Sequence, residues 1–341
     1  MAQTTPFRTV SALVLATCTA LPAYAEGELN LYSSRHYDTD ERLYSDFEEQ
    51  TGITINRIEG KGDELIQRMA AEGENSPADI LLTVDTSRLE RAKYAGILQS
   101  VDSAVLEERV AGNLQDSDNQ WFGFSQRGRI IFYDKADVSE PPQNYADLAD
   151  PKYKGLICIR SSSNVYNQTL LASIITHDGA EAAKAWAEGV VANMARDPQG
   201  GDTDQLRGVV SGECEIAVSN TYYFARSLRK DVDGLSGSTD MLGWVFPNQS
   251  DRGTHMNLSG GGVAAHAPNK ENAIKFLEYL ASDSAQQYFS AGNDEFPAVK
   301  EVPLADSVAA MGEFKADEVS LSDVAKNLPE AQKIFNAVGW Q

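Results

Sequence analysis

The strongest constraint on the fold is a regular alternation of short apolar strands and amphipathic helices. Residues 29–33, 53–58 and 78–84 have the length and composition of strands, and helical patterns at residues 38–50 and 64–71 separate them. Strands connected through helices in this way are parallel, and their crossovers are right-handed. The pattern therefore predicts an α/β fold in which helices cover a sheet.

The alternation resumes after two extended runs at residues 121–125 and 129–133, where we expect the chain to cross from one lobe to another. Strands at residues 156–159 and 215–219 predict a second α/β unit, and the chain returns near Gly260. Roughly 300 residues outside an export signal exceed the usual size of a single domain. We expect an N-terminal lobe of residues 26–126 and 248–292, and a C-terminal lobe of residues 127–247 and 293–341 that includes C-terminal helices.

The first 25 residues have the pattern of an export signal. Arg8 is their only charged residue, residues 10–21 are mostly apolar, and residues 23–25 form an A-x-A cleavage pattern. The apolar run is too short and too punctuated for a membrane anchor. We expect cleavage after Ala25 and a location in the periplasm.

The balance of charges restricts the partners. The chain has a formal net charge of −21, whereas nucleic acids and anionic membrane surfaces attract clustered Lys and Arg. We therefore expect no nucleic-acid partner, and we expect a monomer.

Two cysteines, Cys158 and Cys214, follow the export signal. In an oxidising compartment an even pair is expected to form a disulfide. The alternative, a metal site with two thiolates, requires further soft ligands, and the sequence offers none at a usual spacing.

Tyrosines follow three of the predicted strands. Tyr37 follows the first strand, Tyr166 follows the strand at residues 156–159, and Tyr222 and Tyr223 follow the strand at residues 215–219. Ligands of open α/β sheets bind outside the carboxyl ends of the strands. Our hypothesis is that these four phenols, with His36 nearby, converge on one hard metal ion between the lobes.

Phenolate oxygen suits ferric ion, because a small and highly charged cation prefers anionic oxygen to sulfur or neutral nitrogen. A bound multivalent cation can hold a phenol deprotonated well below its usual pKa. Three phenolates neutralise Fe(III), and a fourth adds a negative charge that Arg127 or Arg160 can offset. The first backbone N–H groups of the helix that begins near Val165 can hold an anion that shares the metal.

Four stretches resemble signature segments of the periplasmic ferric-ion-binding proteins of ABC importers. They are YSSRHY at residues 32–37, ENSPADI at 74–80, RSSSNVYNQ at 160–168 and NTYY at 220–223. The closer match is the branch of that family that uses several tyrosines.

This resemblance implies a two-lobed type II periplasmic binding protein, of the Venus flytrap kind, with a metal site in the interlobe cleft. It implies iron delivery to an inner-membrane permease, with Tyr37, Tyr166, Tyr222 and Tyr223 as ligands and His36 as a variable one. Arg127 resembles the branch's arginine that lies behind the ligands, and its charge motivates the hypothesis that ferrous iron also binds. Another branch uses a glutamate, for which Glu59 is the nearest candidate, but we leave Glu59 outside the ligand set.

Other functions stay open at this point. The Tyr222-Tyr223 pair alone is as consistent with packing as with a ligand, and Tyr166 alone is more consistent with packing, because an aromatic residue in the first turn of a helix is common. A solute-binding protein for a small oxyanion could use Arg160 and helix N-termini, and one for an organic cation could use the clustered phenols. An enzyme is not expected, because no G-x-S-x-G nucleophile elbow is present and the four histidines have no paired ligand spacing.

Overall fold

The computed structural model describes Met1, residues 27–35 and residues 37–341. His36 and the predicted export signal, apart from Met1, therefore lie outside the described residues. The described strands are β1 (Glu28–Ser33), β2 (Thr54–Glu59), β3 (Ile80–Val84), β4 (Phe122–Asp134), β5 (Ile157–Cys158), β6 (Ile216–Asn220), β7 (Leu242–Val245), β8 (Met256–Val263) and β9 (Phe296–Pro297).

The helices of the first half of the chain alternate with these strands. They are α1 (Glu41–Thr51), α2 (Gly62–Glu72), α3 (Thr86–Tyr94), α4 (Ala104–Arg109), α5 (Val165–Asp178) and α6 (Ala180–Asn193). The later helices are α7 (Asp202–Val210), α8 (Thr221–Arg229), α9 (Lys270–Leu280), α10 (Asp283–Asn293), α11 (Asp306–Ala309), α12 (Leu321–Ala325) and α13 (Leu328–Val338). The expected α/β fold is confirmed.

The strand order is β2-β1-β3-β8-β4-β6-β5, with β7 and β9 also paired to β4. Strands β1, β2 and β3 are parallel to one another, as the alternation predicts, and β8 is antiparallel to β3. Strand β5 is parallel to β6, which is antiparallel to β4. The sheet is therefore mixed, and β4 lies at its centre.

The two extended runs predicted near residues 121–133 form one continuous strand. The first half of β4 pairs with β8, and its second half pairs with β6 and β7. The prediction of two runs was wrong because Arg127 and Arg129 interrupt the apolar pattern, yet both are buried, at 1% and 2% exposure. Charged side chains inside a strand are rare, so the pattern alone favoured a break there.

Separate hydrophobic cores lie on the two sides of this strand. Phe122 and Phe124 pack in a core formed by the first three strands and by α9 and α10. Ile130 and Ile131 pack in cores formed with β6, α5 and the helices near the C-terminus. These cores give the molecule two lobes, while the exact boundaries at residues 126, 247 and 292 stay a prediction.

Glycines in β8 allow close contact between the backbones of the central strands. A Cβ atom at Gly260 would overlap the carbonyl oxygen of Phe122, and one at Gly262 would overlap that of Gln120. The glycine cluster predicted to mark the return of the chain therefore has a packing role at the centre of the sheet. Within the described part of the chain, no helix has the length and apolar character that a membrane span requires.

Candidate metal centre

The four tyrosines follow the ends of three strands, as the sequence predicted. Tyr37 lies beyond β1, at the N-cap of a short 3-10 turn, and Tyr166 is the second residue of α5. Tyr222 and Tyr223 are the second and third residues of α8, which begins directly after β6. Asn164 caps α5 by accepting a hydrogen bond from the backbone N–H of Tyr166 at 3.1 Å. The strand-to-helix junctions thus fix the position of each phenol.

The structure brings these phenols together. The hydroxyl oxygens of Tyr166 and Tyr222 are 3.4 Å apart, and the rings of Tyr222 and Tyr223 stack with centroids 4.1 Å apart. The guanidinium of Arg226 lies over the ring of Tyr37 at 5.8 Å and over that of Tyr222 at 5.3 Å. Tyr37 from one lobe therefore shares a cluster with tyrosines of the other.

Burial keeps the phenols of Tyr37, Tyr222 and Tyr223 protonated in the protein alone. Desolvation, together with the neighbouring Tyr166 and the carboxylate of Glu295, raises the pKa of Tyr37 to about 12. Desolvation and the neighbouring phenols also raise the pKa of Tyr222 well above its ordinary value, and the pKa of Tyr223 is raised in the same direction. A ligand that takes phenolate oxygens must therefore displace protons.

Five arginines surround the phenols. The guanidinium groups of Arg127, Arg129 and Arg160 lie over the ring of Tyr166 at 5.5, 6.0 and 5.7 Å. Arg35 lies over the ring of Tyr37 at 5.0 Å, and Arg226 completes the set. Such a cluster favours anionic oxygen at its centre.

Sequence reasoning predicted Arg127 and Arg160 but missed the other three arginines. The sequence contained a pattern that could have identified two of them. Arg129 shares a strand face with Arg127, and Arg226 lies one helical turn after Tyr222. The pattern for Arg35 was weaker, since the residue only lies two positions before Tyr37 in the sequence.

Buried carboxylates hold most of these arginines. Asp202, at the start of α7, accepts hydrogen bonds from Arg129 and Arg160, the latter at 3.0 Å. Arg35 donates to Asp40 at 2.9 Å. Arg226 lies 3.7 Å from a carboxylate oxygen of Asp294, at the end of α10. Each carboxylate restrains an arginine that faces the phenols.

Arg127 differs from its neighbours. Its Nη1 donates to Ser259 Oγ at 2.7 Å, and the nearest carboxylate oxygen, Glu295 Oε1, is 3.6 Å away. Its Nε and Nη2 are buried and have no partner among the described residues. Burial alone would lower the pKa of Arg127, but the phenols and Glu295 raise it. Arg127 therefore stays charged and keeps donors that can serve an oxygen anion.

Further unpaired donors lie in the same cluster. The Nε atoms of Arg129 and Arg160 and the Nδ2 atom of Asn220 are buried without a partner in the described part of the chain. Unpaired buried donors are costly. A ligand that supplies oxygen acceptors, or phenolates formed on metal binding, would satisfy them.

Glu59, the candidate ligand from the other branch, ends β2 with 41% of its side chain exposed and pairs with Arg57 at 3.3 Å. Among residues 27–35 and 37–341, no group of three His, Cys, Asp or Glu side chains could hold a metal ion. The tyrosine cluster is therefore the candidate metal centre of the described chain.

The expected disulfide is confirmed. Cys158 of β5 and Cys214, just before β6, are bonded, with their Cα atoms 5.8 Å apart. The alternative of a two-thiolate metal site is thereby excluded. The bond joins the two strands whose ends lead to Tyr166 and to Tyr222, so it braces the C-terminal lobe beside the candidate centre.

Comparison with known proteins gives a consistent result. Residues 75–315 match the model of the family described as bacterial extracellular solute-binding protein. The chain is 50% identical over 315 residues to iron uptake protein A1 of Synechocystis, which covers 92% of this chain and 88% of that protein. It is 26% identical to the major ferric iron-binding protein of Neisseria meningitidis, with 96% of this chain and 97% of that protein covered.

A solved structure shows the same fold. The Trichodesmium protein IdiA, or FutA, in complex with iron and citrate ligands, superposes with a TM-score of 0.89 at 50% identity, covering 92% of this chain and 100% of that one. The expected two-lobed periplasmic binding protein fold is therefore confirmed. On its sequence and its fold, the chain belongs to the family of bacterial extracellular solute-binding proteins.

Proposed function

We propose that this protein captures Fe(III) outside the cytoplasm and delivers it to an ABC permease of the inner membrane. The observation that carries the proposal is the meeting of Tyr37, Tyr166, Tyr222 and Tyr223 in one buried cluster from three strand ends and both lobes. The relatives support it, because their names describe iron uptake and ferric iron binding. The role is capture and transfer rather than catalysis.

The four phenols act as the ligands in this proposal. Fe(III) prefers anionic oxygen, and four phenolates give the ligated metal one net negative charge. Arg127 offsets that charge, because its Nε and Nη2 atoms are both buried without a partner among the described residues, whereas Arg129 and Arg160 each leave only Nε unpaired. Arg160 shares Asp202 with Arg129 and lies over the ring of Tyr166, which it restrains in this proposal. His36 is proposed as an additional ligand, although it lies outside the described residues.

An anion that shares the metal is a finer point of the proposal. The unpaired donors of Arg127, Arg129, Arg160 and Asn220 suit a carboxylate or carbonate oxygen. The Trichodesmium structure in complex with iron and citrate supports the idea for a relative.

Ferrous iron is a second cargo in the proposal. Fe(II) has one positive charge fewer than Fe(III). A ferrous centre would therefore bind fewer phenolates, and Arg127 would compensate the net negative charge that remains. An anaerobic titration without ferrous binding would remove this part of the proposal and leave the ferric part intact.

Export and transfer complete the proposal. Cleavage after Ala25 would release the mature protein into the periplasm as a monomer, and the permease would receive iron when the lobes separate. A ligand held by both lobes stabilises the closed state by its differential affinity for that state.

The proposal predicts a colour change. Titrating metal-free protein with ferric citrate should produce a red to orange phenolate-to-iron band that saturates at one iron per chain. Excess citrate or acid should abolish the band. A protein that stays colourless while metal analysis shows no retained iron would contradict the proposal.

Iron binding should depend steeply on pH. The raised pKa values of Tyr37, about 12, and of Tyr222 and Tyr223 keep these phenols protonated at neutral pH, so binding should release about three protons from them. Higher pH removes competing protons, and the affinity should therefore rise as pH rises and fall in acid. Proton release measured with an indicator dye in weak buffer tests this, and fewer than one proton per iron would contradict phenolate ligation.

The free donors also favour a second candidate, a solute-binding protein for a small oxyanion. Guanidinium groups around a buried cluster are typical of oxyanion sites. Calorimetry with inorganic phosphate and with ferric citrate separates the two functions, since tight phosphate binding without iron binding would favour this candidate. Tight binding of an organic cation would instead favour a solute-binding protein for such cations.

A further inference from the structure

A buried carboxylate outside the predicted ligand set connects two of the arginines that face the phenols. Glu295 is 1% exposed and lies just after Asp294, the residue in left-handed conformation that ends α10. We infer that Glu295 is a positioning residue that restrains Arg127 and Arg35 and thereby sets the preference of the site for ferric over ferrous iron. This inference rests on the proposed function.

The contacts of Glu295 are specific. Its Oε2 atom accepts hydrogen bonds from Ser125 Oγ at 2.7 Å and from Arg35 Nη1 and Nη2 at 3.3 and 3.4 Å. Its Oε1 atom lies 3.6 Å from Arg127 Nη1. The next residues, Phe296 and Pro297, pair with Gln126 and Ser125 of β4. The carboxylate is therefore fixed against the strand that carries Arg127.

Both arginines act on the phenols. The guanidinium of Arg35 lies 5.0 Å from the ring of Tyr37, and that of Arg127 lies 5.5 Å from the ring of Tyr166. Arg35 has a second carboxylate, Asp40, at 2.9 Å. Arg127 has no other carboxylate in its described ion pairs. Glu295 is thus the group that tempers the charge of Arg127.

The sign of the effect follows from charge. Loss of the Glu295 carboxylate would make the surroundings of the phenols more positive and would free Arg127 to act fully on them. Fe(III) has one more positive charge than Fe(II), so the ferric state would be destabilised more. The ratio of ferric to ferrous affinity should therefore fall, which a purely structural role would not produce.

The test compares Glu295→Gln with a matched control. Glu90→Gln also removes a buried carboxylate, which is 2% exposed and accepts hydrogen bonds from Trp121 and Ser322 rather than from the arginines. Ferric affinity is measured by competition with citrate, and ferrous affinity by anaerobic titration. Glu295→Gln should lower the ferric-to-ferrous ratio by about tenfold, or about 59 mV in midpoint potential, while Glu90→Gln should leave it unchanged.

Two further variants test the route of the effect. In an Arg127→Gln background, Glu295→Gln should change the ratio much less, because the arginine that it restrains is gone. Glu295→Asp keeps the negative charge but moves it farther from Arg127. Its ratio of ferric to ferrous affinity should therefore lie between those of wild type and Glu295→Gln. This variant takes the place of Glu295→Gln in the test if Glu295→Gln does not fold.

An unchanged ratio in folded Glu295→Gln or Glu295→Asp, or an equal effect with and without Arg127, would overturn the inference. Failure of the wild-type protein to bind iron would instead refute the proposed function, so the two failures are distinguishable.

Discussion

Tyr222→Phe is expected to lower ferric affinity by more than about 100-fold, since loss of even a group behind the ligands typically costs 10–100-fold in metal affinity. Tyr222 is 2% exposed, its hydroxyl lies 3.4 Å from that of Tyr166, and its ring shares Arg226 with Tyr37. The substitution removes one phenolate and leaves the packing of the ring in place. The visible band should weaken and shift, and citrate should remove iron at a lower concentration.

Tyr44→Phe is the matched control for this variant. Tyr44 is 5% exposed, packs in the core of the N-terminal lobe, and has a buried hydroxyl without a partner among the described residues. Removing that hydroxyl should change neither the band nor the affinity. Equal iron binding by wild type and Tyr222→Phe would show that Tyr222 is not a ligand.

The second large effect is expected from the disulfide. Replacing Cys158 and Cys214 with alanine should lower the free energy of unfolding by about 4 kcal/mol, because the bond closes a loop with a sequence separation of 56 residues and so restricts the unfolded chain. Urea unfolding of oxidised wild type and of the double alanine variant measures the difference.

A reduced wild-type sample is the control for packing. It keeps both sulfur atoms, so it should lose nearly the same stability as the alanine variant. At urea concentrations where the variant stays folded, its iron band should match that of wild type, because neither cysteine belongs to the ligand set proposed for the metal. A loss below about 1 kcal/mol would contradict the loop-closure argument.

The sequence predicted the positions of the phenols because they depend on a topological rule. Tyr37, Tyr166 and the Tyr222-Tyr223 pair each follow a strand, and strand ends of an α/β sheet meet at the ligand site. Local patterns were sufficient to find those strands to within one or two residues at most ends. The disulfide was predictable because only two cysteines follow the export signal.

The groups behind the phenols were less predictable. Glu295 contacts Arg35, from which it is separated by 260 residues of sequence, and Asp294 contacts Arg229, from which it is separated by 65. No local pattern connects residues so far apart. Arg127 and Arg129 were predicted at a boundary between strands, although they lie inside one. Burial of several charges together depends on tertiary pairing, which periodicity does not report.

Smaller differences have local reasons. The helix predicted at residues 64–71 begins earlier, because Lys61 holds the N-cap position of α2, and Asp63 in its first turn pairs with Arg91 at 2.8 Å. The short helices α4, α11 and α12 were not predicted, because four to six residues are too few to show a helical period.

The continuity of β4 has a consequence for how the cleft changes its width. Because one unbroken strand belongs to the sheet on both sides, rotation of the lobes must be absorbed as torsion within its backbone near Gln126 to Gly128, where its partners change from β8 to β6. Arg127 lies at that point. Twisting of this strand would turn the guanidinium relative to Tyr166, so the geometry of the proposed iron ligands would be mechanically linked to the angle between the lobes.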